Sequence, residues 1–269
     1  MKIIRYAPSD GGPAQYGWAE AGRAGRLDGD LFGAYRREDL GANLSDLKLL
    51  APLVPGKIVC VARNYVAHAL EHGAEVPEVP LLFLKPPSAV IGPGQAIVLP
   101  PQSDRVEHEA ELAVVIGRRA RDVTPEQAGA HILGYTVAND VTARDLQQRD
   151  GQWTRAKGFD TFCPLGPWIE TTADPSDLRI VCRVNGVIRQ MASTQDMVFS
   201  VPQLVAYISG VMTLEPGDVI LSGTPEGVGR LADGDEVEIE IQEIGLLHNE
   251  VRLAGPGRGN PPAARKSPG

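Results

Sequence analysis

Arg105-Val106-Glu107-His108-Glu109-Ala110-Glu111-Leu112-Ala113-Val114-Val115-Ile116-Gly117 is the stretch from which the rest of the chain is read. Three carboxylates run into five apolar residues and a glycine, and the valine- and isoleucine-rich end suits a buried, pleated backbone. Residues two apart in a strand share a face, so Glu109 and Glu111 point the same way beside the core. Like charges held there repel each other and lose hydration, and a divalent cation is the simplest compensation. Asp140 ends a second apolar run, Gly134-Tyr135-Thr136-Val137-Ala138-Asn139-Asp140, and offers a third oxygen ligand. Three oxygen ligands with open positions suit magnesium or manganese. Taken alone, the same acids also fit the wet face of an edge strand. Strand parity leaves open whether Glu107 joins the set.

The bulk properties narrow the choice. A chain of 269 residues holds one large domain, or one domain and a small appendage. The net charge of -8 comes without a basic face, which argues against nucleic acid or an anionic membrane as partner. Cys60, Cys163 and Cys182 show no paired spacing, so neither a disulfide framework nor a zinc site is expected, and a reducing cytoplasm is the default. No signal pattern opens the chain, and no apolar run approaches the roughly 20 residues needed to span a bilayer.

On the N-terminal side, residues 1–54 read as a small β domain of short strands cut by glycine-rich turns, with little sign of chemistry. Lys57-Ile58-Val59-Cys60-Val61-Ala62 is a buried-type strand. It leads into Arg63-Asn64-Tyr65-Val66-Ala67-His68-Ala69-Leu70-Glu71, where Asn64 can cap a short helix. His68 and Glu71 lie three apart on that helix and share a face. They fit either a general base with a fixed tautomer or a plain surface pair. On the C-terminal side, Lys157 stands in an irregular loop, and Asn185-Gly186 marks a hairpin. Residues 199–212 carry apolar residues at helical spacing. The glycines of Ser222-Gly223-Thr224-Pro225-Glu226-Gly227-Val228-Gly229 would let backbone amides and the Thr224 hydroxyl approach a ligand. Residues 253–269 read as a disordered, basic tail.

These motifs, in this order, resemble the fumarylacetoacetate hydrolase superfamily. The resemblance rests on Cys60-Val61-Ala62-Arg63-Asn64-Tyr65 with His68 and Glu71, Phe83-Leu84-Lys85-Pro86-Pro87, His108-Glu109-Ala110-Glu111-Leu112, Asn139-Asp140-Val141-Thr142-Ala143-Arg144-Asp145, Lys157-Gly158-Phe159-Asp160 and the glycine-rich segment from Gly223 to Gly229. It implies a mainly β fold with short helices, a mixed β-sandwich roll over a catalytic domain at residues 55–252, and a homodimer. It implies that Glu109, Glu111 and Asp140 bind magnesium or manganese, that His68 and Glu71 form the catalytic dyad, and that Lys157 contacts the bound substrate. Asp160 and Thr161 would support Lys157, while Arg63, Asn64, Gln147 and Thr224 would hold the substrate's carboxylate or enolate oxygens, partly through backbone amides. Relatives usually have glycine where Ala62 sits. The expected activity is metal-dependent hydrolysis of a carbon–carbon bond in an acylpyruvate- or fumarylacetoacetate-type 2-oxo acid, with the dyad activating water. The alternative is an isomerase or decarboxylase of aromatic catabolism, which needs the same enolate but no water attack.

Overall fold

The computed structural model describes residues 1–8, 11–71 and 73–255. The expected tail lies outside that range from residue 256 onward, and Leu253 still belongs to the strand Gly245–Leu253. The apolar run after Glu109 forms the strand Ala110–Ile116, buried along its whole length. It is the inner strand of a large mixed sheet. Ile132–Asn139 lies antiparallel on one side and Val219–Leu221 antiparallel on the other. Val219–Leu221 pairs in parallel with Ile58–Ala62, which is flanked by Leu81–Lys85. Strands covered on both faces need continuous apolar sequence, and Ile58-Val59-Cys60-Val61 supplies it.

The N-terminal strands extend this sheet. Lys2–Ala7 pairs with Cys163–Glu170, and the Met1 amine lies 2.8 Å from Glu170 Oε1. Among the described residues the sheet has 13 strands. A second sheet of five strands packs against it, and Val114 and Val137 of the first share one core with Ile180, Ile239 and Leu247 of the second. Its hairpin, Arg179–Val184 and Val187–Ser193, turns at Asn185 and Gly186 with φ of 53° and 75°, the positive values a two-residue turn of this hand requires. Val201–Val211 is the longest helix among the described residues. Ser200 and Gln203 close a capping box at its start, and Leu204, Val205 and Ile208 face the core. The expected architecture, mainly β with short helices, is the one observed. No helix among the described residues is long and apolar enough to cross a membrane.

The chain changes sheets at Glu109. Val106–His108 belongs to a separate three-stranded sheet with Thr142–Ala143 and Gly229–Arg230. Ala110 then pairs with Asn139 in the large sheet. Glu109 sits at the corner, its N–H donating to Asn139 Oδ1 at 2.9 Å and its carbonyl accepting from Asp140 N at 2.9 Å. That corner brings Asp140 beside Glu109 despite their separation in sequence.

Candidate active site

Glu109, Glu111 and Asp140 are buried, and a carboxylate oxygen of each lies within 4.8 Å of the other two. Glu107 does not join them. Its two oxygens are taken by Arg105 Nε at 2.6 Å and Arg144 Nε at 2.7 Å. Three buried cations brace the triad. Lys157 Nζ donates to Glu109 Oε2 at 2.8 Å and to Asp140 Oδ2 at 2.7 Å. Lys85 Nζ donates to Asp140 Oδ1 at 2.6 Å and to the Val141 carbonyl at 3.1 Å. Arg144 reaches Glu109 Oε1 at 2.5 Å, and the Thr142 hydroxyl donates to the same oxygen at 3.1 Å.

The charges are unevenly satisfied. Burial works to raise the Glu109 carboxyl, but Lys157 and Arg144 outweigh it and hold the group well below the usual carboxylate range. Burial also opposes the charge on Lys157, yet Asp140 and Glu109 keep its ammonium above the ordinary lysine value. Glu111 accepts one backbone N–H, from Gly223 at 2.7 Å. Burial, then Asp140 and Glu109, push its carboxyl well above the ordinary value. The triad therefore has a cation deficit at Glu111. An all-oxygen donor set with that deficit fits a hard divalent ion such as magnesium or manganese.

The triad opens into a cavity of about 250 Å³ whose wall includes Arg63, His68, Phe83, Arg144, Gln147, Gln148, Trp153, Lys157 and Thr224. His68 is buried on the helix Val66–Glu71, its Nδ1 3.4 Å from Glu71 Oε2. Glu71 stands behind it and accepts from Gly227 N at 3.1 and 3.3 Å, tying the helix to the glycine-rich loop. Lys157 ends the short helix Thr154–Lys157, with its ammonium 4.8 Å from the Phe83 ring centre.

Most expected residues converge here, and several expected roles need correction. Asn64 neither caps the helix nor lines the cavity. Its amide donates to the carbonyls of Phe199 and Ser222 at 3.0 and 2.8 Å, and its oxygen accepts from Phe199 N at 2.8 Å. Asp160 is exposed, and the Thr161 hydroxyl accepts from Val98 N at 2.9 Å, so neither supports Lys157. The Thr224 hydroxyl is committed to the Ala110 carbonyl and to Gln190, at 2.9 and 2.8 Å, which leaves its backbone for a ligand. Gln147 lines the cavity while its oxygen accepts from Arg144 at 2.6 Å. Sequence reasoning gave no role to Lys85. The available signal was a lysine closing the apolar run Leu81-Leu82-Phe83-Leu84 just before two prolines, where a buried charge needs a partner.

Comparison with known proteins agrees with this architecture. Residues 57–252 match the family model described as fumarylacetoacetate (FAA) hydrolase C-terminal, and residues 1–52 match one described as Rv2993c-like, N-terminal. The chain belongs to the fumarylacetoacetate hydrolase family. Among its relatives is 2-hydroxyhepta-2,4-diene-1,7-dioate isomerase from Mycobacterium marinum. That structure is 46% identical with a TM-score of 0.86, over 95% of this chain and 99% of the other. The human protein named oxaloacetate tautomerase FAHD2B, mitochondrial, is 49% identical over 220 residues, 77% of this chain and 70% of its own. Maleylpyruvate hydrolase from Sphingobium sp. SYK-6, solved with manganese(II) and pyruvate, is 31% identical with a TM-score of 0.77, over 95% of this chain and 100% of the other.

Proposed function

We propose that the chain catalyses proton transfer at the carbon beside the keto group of a 2-oxo acid, interconverting keto, enol or double-bond isomers. The observation that carries this reading is that His68 shares one buried cavity with three convergent carboxylates and with Lys157, whose ammonium bridges two of them. Glu109, Glu111 and Asp140 would hold magnesium or manganese, which when bound polarises substrate oxygens as a Lewis acid. Lys157 stays protonated and stabilises negative charge that develops on the substrate. Glu71 lies against Nδ1 and orients the imidazole, which takes and returns the proton. Gly227 N–H in turn fixes Glu71.

Proton transfer needs no more than these groups. The isomerase and tautomerase among the relatives, at 46% and 49% identity, support it. Carbon–carbon bond hydrolysis is the second reading, favoured by the dyad and by the maleylpyruvate hydrolase relative. It adds attack of a water, deprotonated by His68, on a distal carbonyl. The test follows the decay of enol-oxaloacetate by ultraviolet absorbance with magnesium present. Acceleration by the protein, and a loss of about a hundredfold or more in His68→Gln, is the expected result. Release of pyruvate from acylpyruvates with no effect on the enol would replace this reading with the hydrolytic one.

A further inference from the structure

His108 ends the strand Val106–His108, and its ring is buried. Its Nδ1 lies 3.0 Å from Gln190 Oε1, while its Nε2 meets no hydrogen-bonding group among the described residues. Gln190 fixes the tautomer. Gln190 Nε2 donates to the Pro225 carbonyl and to the Thr224 hydroxyl, each at 2.8 Å, and a carbonyl can only accept. The Gln190 oxygen therefore faces Ala110 N, at 3.0 Å, and His108 Nδ1, so Nδ1 carries the hydrogen. Cys182 Sγ, 3.5 Å from the same nitrogen, is a weaker neighbour. Nε2 of the neutral ring is then a bare acceptor, and a buried acceptor calls for a donor.

His108 lines a cavity of about 410 Å³ whose wall includes Arg189, Gly227, Gly229 and Arg230, none of which lines the catalytic cavity. Gly229 pairs with His108 across the strands, and a Cβ there would lie 3.2 Å from Nε2, so glycine leaves that nitrogen uncovered. The wall is cationic. Arg189 and Arg230 are exposed, and neither guanidinium has a hydrogen bond or an ion pair among the described residues. Burial lowers the pKa of His108 and the Arg189 charge acts in the same direction, which places that guanidinium within electrostatic reach of the ring. Glu107, the neighbouring acid on the strand, is already held by Arg105 and Arg144.

We propose that this second cavity binds hydrogenphosphate and recognises it by its hydroxyl, which donates to His108 Nε2 while the charged oxygens face Arg189, with Arg230 adding positive charge to the wall. The two demands of the site, a donor for the ring and an anion for the arginines, meet in one small ion. Sulfate has similar shape and charge but no hydroxyl, so it meets Nε2 lone pair to lone pair. A phosphate monoester loses its last hydroxyl near pH 6 and is disfavoured for the same reason. The site stands apart from the reading of the active cavity, although Gly227, whose N–H holds Glu71, belongs to its wall.

The test is calorimetric titration of the full chain with inorganic phosphate and with sulfate, in EDTA at about pH 8, where an ordinary imidazole is neutral. The wild type binds phosphate with a Kd of about 1 mM or tighter, and sulfate at least about tenfold more weakly, because only phosphate supplies the hydrogen bond to the ring. Gly229→Ala sets a methyl group over Nε2 and brings phosphate down to the level of sulfate. Arg189→Gln, at an exposed position, weakens both anions by about tenfold and keeps the preference between them. Because the arginine lies at the surface, its variant serves even if the alanine at position 229 disturbs folding. Absence of phosphate binding, equal affinity for the two anions, or phosphate binding that Arg189→Gln leaves unchanged overturns the assignment.

Discussion

Glu111→Gln should stabilise the metal-free protein and remove its response to metal. Glu111 lies within 4.8 Å of two other carboxylates and has no ion-pair partner of its own among the described residues. At that distance one like-charge pair costs about 3.5 kcal/mol at an effective dielectric of about 20. Lys157 attracts the same carboxylate and offsets part of this, leaving a net penalty of about 1–3 kcal/mol. Glutamine keeps an oxygen for Gly223 N–H and discards the charge. At about 2.1 cal/mol/K of unfolding entropy per residue, the 269-residue chain gains about 2–5 °C in Tm in EDTA. Burial and the neighbouring acids raise the Glu111 carboxyl above its unfolded value of about 4.5, so with rising pH the unfolded chain releases this proton before the folded one does. The advantage of glutamine therefore grows as pH rises through that window and vanishes below it. With manganese at about a hundred times its Kd, the wild type gains about 2.7 kcal/mol, or about 5 °C, and the variant gains little. Thermal unfolding in EDTA and in manganese reads both effects, and manganese should cancel or reverse the variant's lead. A variant that melts lower in EDTA, or that keeps the full manganese shift, would refute the charge deficit at Glu111.

Three further outcomes are expected. Cys60, Cys163 and Cys182 are buried, and burial pushes the thiols of the last two up to about 12, so a chromogenic disulfide reagent should detect no thiol in the native protein and three after denaturation. Asn64→Ala leaves the Phe199 amide and two carbonyls without their partner, at a cost of about 2–4 kcal/mol or about 4–7 °C in Tm by calorimetry. Burial lowers the pKa of His108, so below about 6.5 the unfolded chain takes a proton that the folded imidazole refuses. Stability should then fall by up to about 1.4 kcal/mol per pH unit until the folded value is reached, and His108→Asn should flatten that slope in urea titrations.

The pairing of Glu109 with Glu111 was legible because the spacing of two survives the local structure. The exclusion of Glu107 was not, although it has the same parity. The chain changes sheets at Glu109, and Arg105 and Arg144 then claim the Glu107 carboxylate, an arrangement that depends on Thr142–Ala143 arriving from elsewhere. The hairpin at Asn185-Gly186 was visible in local turn chemistry, and the helix Val201–Val211 in the helical spacing of its apolar residues. Asn64 misled for the converse reason. An asparagine before a helix has a local use as a cap, but contacts with Phe199 and Ser222, far along the chain, took its side chain. Lys85 was likewise hidden, because its partner Asp140 lies across the fold.

Manganese anomalous diffraction from crystals grown with the ion tests the metal site most directly. One strong peak within coordination distance of Glu109, Glu111 and Asp140, about 2.0–2.4 Å for oxygen ligands, is the expected result. Saturating manganese with no peak there, or with the only peak at other side chains, would contradict it.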